Sequence, residues 1–312
     1  MAGDPVAVRV GAYGNKDGQT GTAGMGEVAA DAAPTGMAVV LACYGSARAG
    51  GLEAAYGGLV REVAAAAPGV RVGLAVVSAP VRRELEAQGE KAAGLGDVLR
   101  GLAAEGVRSV VVQPVLVGEG RTLDAVRAEA AEARDAFERL VVGDPLVASA
   151  DDEARLVAAV TAAYPVAPDE ALLLVAHGSA TGVGARVTGY RGCCHAGGSV
   201  TAAPTPRDTS SDPVVTLHEG AQVAVARLRA QAPGATRVTV VPLMLVAGAH
   251  VRRELAGDAP DSWRSALVRS GYAVRVCEEG LLALPAVRGI LVDHVLGALQ
   301  TGGTYHAQAE QA

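Results

Sequence analysis

From Met37 onward the chain alternates short runs rich in Val and Leu with longer stretches rich in Ala, Glu and Arg. Strand-length apolar runs separated by helix-length amphipathic stretches predict βαβ units and a mainly parallel sheet. In the first half the pattern predicts strands at 38–43, 71–77, 109–117 and 140–143, with helices near 51–67, 81–104 and 121–138. In the second half it predicts strands at 171–176, 213–217, 237–246 and 273–277, with helices near 220–231, 251–270 and 284–300. The two series run in the same order, with a boundary near 150–169. The expected organisation is a disordered extension over 1–36, an α/β domain over 37–160 and a second over 161–283. A helix over 284–300 packs back on the first domain, and a tail follows over 301–312.

The halves also correspond residue by residue. Val39-Val-Leu-Ala-Cys-Tyr-Gly-Ser-Ala47 parallels Leu172-Leu-Leu-Val-Ala-His-Gly-Ser-Ala180, so Tyr44 corresponds to His177. Gly106-Val-Arg-Ser-Val-Val-Val-Gln-Pro-Val-Leu-Val-Gly118 parallels Gly234-Ala-Thr-Arg-Val-Thr-Val-Val-Pro-Leu-Met-Leu-Val246, proline included, and Glu119 falls near the place of His250. Shared landmarks at nearly equal spacing favour duplication over two unrelated sheets with similar strands. The fold class expected is α/β: two similar flavodoxin-like domains, each with a mainly parallel sheet flanked by helices, facing each other across a cleft.

Composition narrows the chemistry. Half of the 312 residues are hydrophobic but only 3% aromatic, and the net charge is −6. That supports a large core and argues against nucleic acid as a partner. The four cysteines lack a CxxC spacing, so neither a zinc knuckle nor a disulfide framework is indicated. No apolar run approaches the ~20 residues that span a bilayer, and the first 36 residues lack the apolar block of a secretory signal. A cytoplasmic location away from membranes is expected. No GxGxxG with a downstream acid and no GxxxxGK[ST] is present, which argues against dinucleotide and ATP chemistry.

The most informative segment runs from Pro242-Leu-Met-Leu-Val-Ala-Gly-Ala-His250 through Val-Arg-Arg-Glu-Leu-Ala-Gly-Asp258 to Asp261-Ser-Trp263. An apolar strand meets a Gly-x-His turn at the mouth of a sheet, where open α/β folds bind ligands. With Ala176-His-Gly-Ser-Ala180, this segment resembles the class II tetrapyrrole chelatases, in particular the anaerobic sirohydrochlorin cobaltochelatases of the CbiK type. The resemblance covers residues 37 to about 300.

It implies ATP-independent insertion of Co²⁺ into sirohydrochlorin for cobalamin synthesis, a lyase-class reaction. The divalent metal is then a substrate, with no tightly bound cofactor. Two histidines and a glutamate hold the ion in such enzymes; the matching positions are His177, His250 and Glu219. Thr216-Leu-His-Glu-Gly220 carries both His218 and Glu219, and neighbouring residues of a strand face opposite ways. One of the two is therefore the third ligand, with Glu219 preferred. Neutral imidazoles and one carboxylate suit a divalent ion that must be surrendered and can take up pyrrole protons.

Sirohydrochlorin's many carboxylates call for local arginines on an acidic protein, and Arg48, Arg121, Arg252 and Arg253 are the candidates, with Tyr44 beside them. Solvated helix faces are the alternative for any one of these arginines. Glu119 is a candidate for taking or relaying pyrrole protons. The stretch at about 181–213 departs from the family: rich in Gly, Thr, Ser and Pro, with Cys193, Cys194 and His195, it reads as a flexible insertion rather than an amphipathic helix. Fe²⁺ insertion for sirohaem, a non-catalytic tetrapyrrole or metal carrier, and a generic two-lobed binding protein stay open, as does a homo-oligomer.

Overall fold

The structure, a computed structural model, describes residues 36–48, 50–176, 214–216, 220–248 and 251–300. They divide into two compact units, the first within Met1–Ala148 and Arg288–Ala312, the second within Ser149–Val287.

In the first unit the elements are β1 (Met37–Cys43), α1 (Gly51–Ala66), β2 (Arg71–Val76), α2 (Ala79–Ala87), α3 (Leu95–Ala104), β3 (Ser109–Val115), α4 (Arg121–Glu132) and β4 (Arg139–Val142). The second continues with α5 (Ala150–Ala163), β5 (Glu170–Ala176), β6 (Val214–Thr216), α6 (Ala221–Gln231), β7 (Arg237–Leu243), a π turn (Val251–Leu255), α7 (Trp263–Arg269) and β8 (Ala273–Val276). The last helix, α8 (Pro285–Gln300), belongs to the first unit from Arg288 onward.

Each unit holds a four-stranded parallel sheet, ordered β2-β1-β3-β4 and β6-β5-β7-β8. The order is the same once each strand is replaced by its repeat counterpart. Parallel strands covered on both faces read as continuous apolar runs. Accordingly Ala38, Val40 and Ala42 pack with Val98, Leu99 and Leu102 of α3, while Val39, Leu41 and Cys43, which alternate with them, are equally buried. In the second sheet Ala171, Leu173 and Val175 pack with Val225 and Leu228 of α6 and with Trp263 and Leu267 of α7.

The two prolines occupy equivalent sites. Pro114 pairs with Ala42 and Pro242 with Val175, and in both sheets the outer strand pairs no further than two residues earlier, at Val112 and Val240. A proline, lacking an N–H, is tolerated where no ladder partner needs one.

Several predicted elements change on folding. The helix expected over 81–104 is two, because Gly89 takes the left-handed conformation (φ 80°) and the Glu90 N–H closes back on the Leu85 carbonyl at 2.9 Å. This Schellman closure ends α2. The helix expected over 251–270 is a π turn followed by the short α7, which starts anew where the Ser262 hydroxyl accepts from Ser265 N–H at 3.1 Å. The helix over 121–138 stops at Glu132, with a 3₁₀ turn at Arg134–Ala136.

A helix the pattern did not suggest, α5, fills the stretch read as the boundary. Its start is a capping box, the Ser149 hydroxyl accepting from Asp152 N–H at 3.1 Å and the Asp152 carboxylate from Ser149 N–H at 2.9 Å. Among the described residues, no helix is long and apolar enough to cross a membrane.

Candidate functional site

In an open parallel sheet the ligand crevice lies beyond the carboxyl ends of the strands, where consecutive connections run in opposite directions. In these sheets that place is between β1 and β3 and between β5 and β7. Ala176, the last residue of β5, pairs with Thr216, the last of β6, on one side and with Leu243, the last of β7, on the other. His177 follows Ala176 in the chain, His218 and Glu219 follow Thr216 by two and three residues, and His250 falls between Gly248 and Val251. All four metal-ligand candidates lie outside the described residues, as does the 181–213 stretch. Among the described residues, no three His, Cys, Asp or Glu side chains come together as a metal site.

What the structure does describe is the frame after His250. Val251 and Leu255, on the π turn, are fully buried in the second core beside Trp263. Gly257 approaches the turn so closely that a Cβ there would collide with the Arg253 carbonyl oxygen. Asp258 accepts from the Arg264 guanidinium at 2.6 Å, and Ser262 caps α7. The most distinctive sequence string of this protein is therefore largely scaffold, holding the chain immediately beyond the histidine against the core. Arg252 and Arg253 alternate with that buried face and stand exposed. The Arg252 guanidinium reaches the Ala247 carbonyl at 3.4 Å.

The first unit presents the equivalent strand ends with different side chains. Tyr44 leaves β1 exposed, Arg48 follows it exposed, and Arg121 opens α4 with its side chain in water. Neither arginine forms an ion pair with a described residue. Glu119 is held by Arg127 in a two-pronged pair at 2.7 and 2.9 Å, eight residues along the same turn and helix. The turn itself is pinned. Gly45 has φ 103°, and a Cβ there would lie 2.6 Å from Val76 Cγ1 and 2.8 Å from Val81 Cγ1.

The Tyr56 hydroxyl accepts from Gly45 N–H at 3.3 Å and donates to its carbonyl at 3.4 Å. The adjoining Cys43 thiol is pushed up to about 12, above all by burial. Burial also drives the Tyr56 phenol well above its ordinary value, with Cys43 adding to the effect. Both groups stay protonated at neutral pH and serve the turn rather than chemistry. Sequence reasoning missed Tyr56, which looks like one more apolar residue of α1; only the tertiary contact with Gly45 reveals it.

Hydrogen bonds beyond the strands tie the repeat together more tightly than the motifs did. Leu146 N–H and Val147 N–H donate to the Leu116 and Val117 carbonyls, as Leu281 N–H and Leu282 N–H donate to those of Met244 and Leu245. Gly120 O accepts from Asp124 N–H, as Gly248 O accepts from Arg252 N–H. Carrying this register on, Thr122 stands at the position of His250 and Leu123 at that of Val251, while Glu119 matches Ala247. At the other loop the match of Tyr44 with His177 holds, because Cys43 pairs with Val115 as Ala176 pairs with Leu243.

Comparison with known proteins agrees with this architecture. The profile of the family described as cobalt chelatase (CbiK) matches residues 37–191 and 211–300. A sirohydrochlorin cobaltochelatase of Salmonella typhimurium is 29% identical over 202 residues, covering 64% of this chain and 72% of its own. The sirohydrochlorin cobaltochelatase CbiKC of Nitratidesulfovibrio vulgaris is 28% identical over 269 residues, covering 85% and 91%. Among solved structures, the sirohydrochlorin chelatase SirB of Bacillus subtilis subspecies spizizenii, in complex with cobalt, aligns over 84% of this chain and 94% of its own with a TM-score of 0.52 and 11% identity. SirB from Bacillus subtilis with Fe³⁺ aligns over 84% and 95% with a TM-score of 0.54 and 10% identity, so both share the fold. With its profile match extending over most of the chain and through both sheets, this protein belongs to the CbiK family of cobalt chelatases.

Proposed function

We propose that this chain inserts Co²⁺ into sirohydrochlorin without ATP, supplying cobalt-sirohydrochlorin to cobalamin synthesis. The observation that carries the reading is the convergence of β5, β6 and β7. The three chain segments bearing His177, His218-Glu219 and His250 leave or follow the end of β5 and the ends of the two strands that flank it, beside the switch point of a sheet in a cobalt chelatase family member. In this proposal His177, His250 and Glu219 receive the ion.

Insertion breaks two pyrrole N–H bonds and forms the metal–nitrogen bonds, so two protons leave for each Co²⁺ taken up. Neutral imidazoles are suited both to hold a divalent ion loosely and to accept those protons. Glu119 is the proposed relay on the first-half loop, its carboxylate paired with the Arg127 guanidinium. Arg48, Arg121, Arg252 and Arg253 are proposed to meet the substrate's acetate and propionate groups, where a planar guanidinium can engage a carboxylate with two hydrogen bonds.

The test is anaerobic absorbance of sirohydrochlorin with Co²⁺, and in parallel Fe²⁺, with the wild type and with His177→Ala and His250→Ala. Acceleration by the wild type and its loss in both variants is the expected result. No acceleration over the spontaneous rate would remove the function, and unchanged variants would remove the site.

A further inference from the structure

We propose that Tyr44 is the aromatic face on which the conjugated macrocycle of the substrate stacks, an inference that rests on the chelatase function proposed above. Among the described residues, the only large apolar side chains classed as exposed are Tyr44 and Val268, at 54% and 52%. A single exposed apolar residue on a helix, as Val268 is on α7, is ordinary for a protein surface. Tyr44 differs in place and in constraint. It is the first residue beyond β1, at the switch point between β1 and β3, where open α/β sheets receive ligands.

Its neighbours on both sides are fixed. Cys43 is fully buried before it, and Gly45 after it is held in a left-handed conformation against Val76 and Val81, with both its polar backbone groups on the Tyr56 hydroxyl. The chain thus holds a large ring in water on a rigid turn, an arrangement without benefit to the fold and useful to a flat ligand. Arg48 and Arg121, on the two loops at the same strand ends, make no ion pair among the described residues and leave cationic groups for carboxylates around such a ring. The register of the repeat gives Tyr44 the position that His177 holds in the second sheet.

The test separates ring from hydroxyl and substrate from metal. Wild type, Tyr44→Phe and Tyr44→Ala are compared anaerobically for binding of metal-free sirohydrochlorin, by its absorbance shift, and for steady-state Co²⁺ insertion. Aromatic pairing beyond area burial predicts that Tyr44→Ala weakens binding and raises KM for sirohydrochlorin about three- to tenfold, with Tyr44→Phe within about twofold of wild type. KM for Co²⁺ and the melting temperature should stay unchanged in both. Wild-type binding and KM in Tyr44→Ala would overturn the inference while leaving the chelatase function standing. Equal losses in both variants would overturn it too, because they would assign the effect to the hydroxyl. A wild type that neither binds sirohydrochlorin nor speeds insertion would bring down both proposals, and that failure is visible before any variant is compared.

Discussion

The two halves of this protein share a strand order, a proline two residues past the end of the outer-strand pairing, and the same hydrogen bonds from the following loops. They part company in two places. At the β1 and β5 exits the first half carries Tyr44 where the second carries His177. Beyond the proline strand, Thr122, Leu123 and a regular helix stand where the second half has His250, Val251 and a π turn. The buried anchor, Leu123 or Val251, is kept in both. The two halves keep in common what the sheet needs for packing and differ in what lies at the strand ends. In an open α/β fold those two sets of positions are separate, because the core lies between sheet and helices and ligands meet only the loops.

The sharpest way to break this comparison is to exchange chemistry at register-equivalent sites. His250→Ala should reduce Co²⁺ insertion at least about 100-fold, as expected for loss of a group acting on protons or metal. Thr122→Ala should leave the rate within about threefold; comparable losses in the two would mean that both halves handle the ion.

Next in size are the shared anchors. Leu123→Ala should cost about 2–5 kcal/mol in urea unfolding, as for other fully buried leucines, and Val251→Ala somewhat less. Only Val251→Ala should also depress insertion at temperatures where both remain folded, because Val251 directly follows His250. A Leu123→Ala protein equally impaired in activity would show that the first-half anchor also supports the site.

A smaller effect distinguishes the amino-terminal ends of the strands. In the second sheet the buried Thr239 hydroxyl donates to the Glu170 carboxylate and accepts from the Arg275 guanidinium, and Arg237 pairs with Asp169 at 2.7 Å. Hydrogen bonding to Thr239 lowers Glu170, and hydrogen bonding to Arg237 lowers Asp169. Because both folded pKa values lie below the unfolded ones, their stabilisation is present above the ordinary carboxylate range and is lost as pH falls through it. Thr239→Val should cost about 1 kcal/mol at neutral pH. The cost should shrink as the pH of the melt falls below the ordinary carboxylate range and through the lowered native value, where Glu170 becomes protonated in the folded state as well. A pH-independent cost would rule out the Glu170 hydrogen bond as its source.

The smallest effect is in thiol reactivity. Cys43, pushed to about 12 by burial, should resist alkylation at pH 8 in the native state. Cys277 is half-buried, and its thiol is raised chiefly by burial, so it should label slowly. Rapid native labelling of Cys43, read by mass spectrometry, would show that the turn holding Tyr44 opens.

Much of the scaffold could be read from the chain because period and punctuation agree there. The Val39–Ala42 and Val110–Val112 runs are buried on both faces, so no alternation is needed to recognise them, and the paired prolines mark equal depth in the two sheets. The capping box at Ser149 was equally legible but sat in a stretch read as a boundary. The breaks at Gly89 and Gly257 were harder, since amphipathic spacing runs across both and only closure against a neighbouring turn ends the helix.

Of the candidate site, the residue types and their order were legible; the partners were not. Nothing in the spacing of Glu119 says that Arg127 engages it, and nothing in α1 marks Tyr56 as the group that fastens Gly45.

By itself the sequence determined the parallel α/β class, the twofold repeat, and the loops on which chemistry is possible. These follow from short-range periodicity and from prolines and glycines whose backbone limits act locally. Only the tertiary structure decided which contacts fasten α8 to the first unit, Arg288 on Glu62 at 2.6 Å and the Arg139 guanidinium on the Ala298 carbonyl. It also decided that Val251, Leu255 and Trp263 pack into one core cluster just after His250 in the chain, and that Tyr44 stands exposed beside a tightly packed Gly45. Those facts depend on which buried surfaces and hydrogen-bond donors meet across long sequence separations, and a local pattern carries no record of that choice.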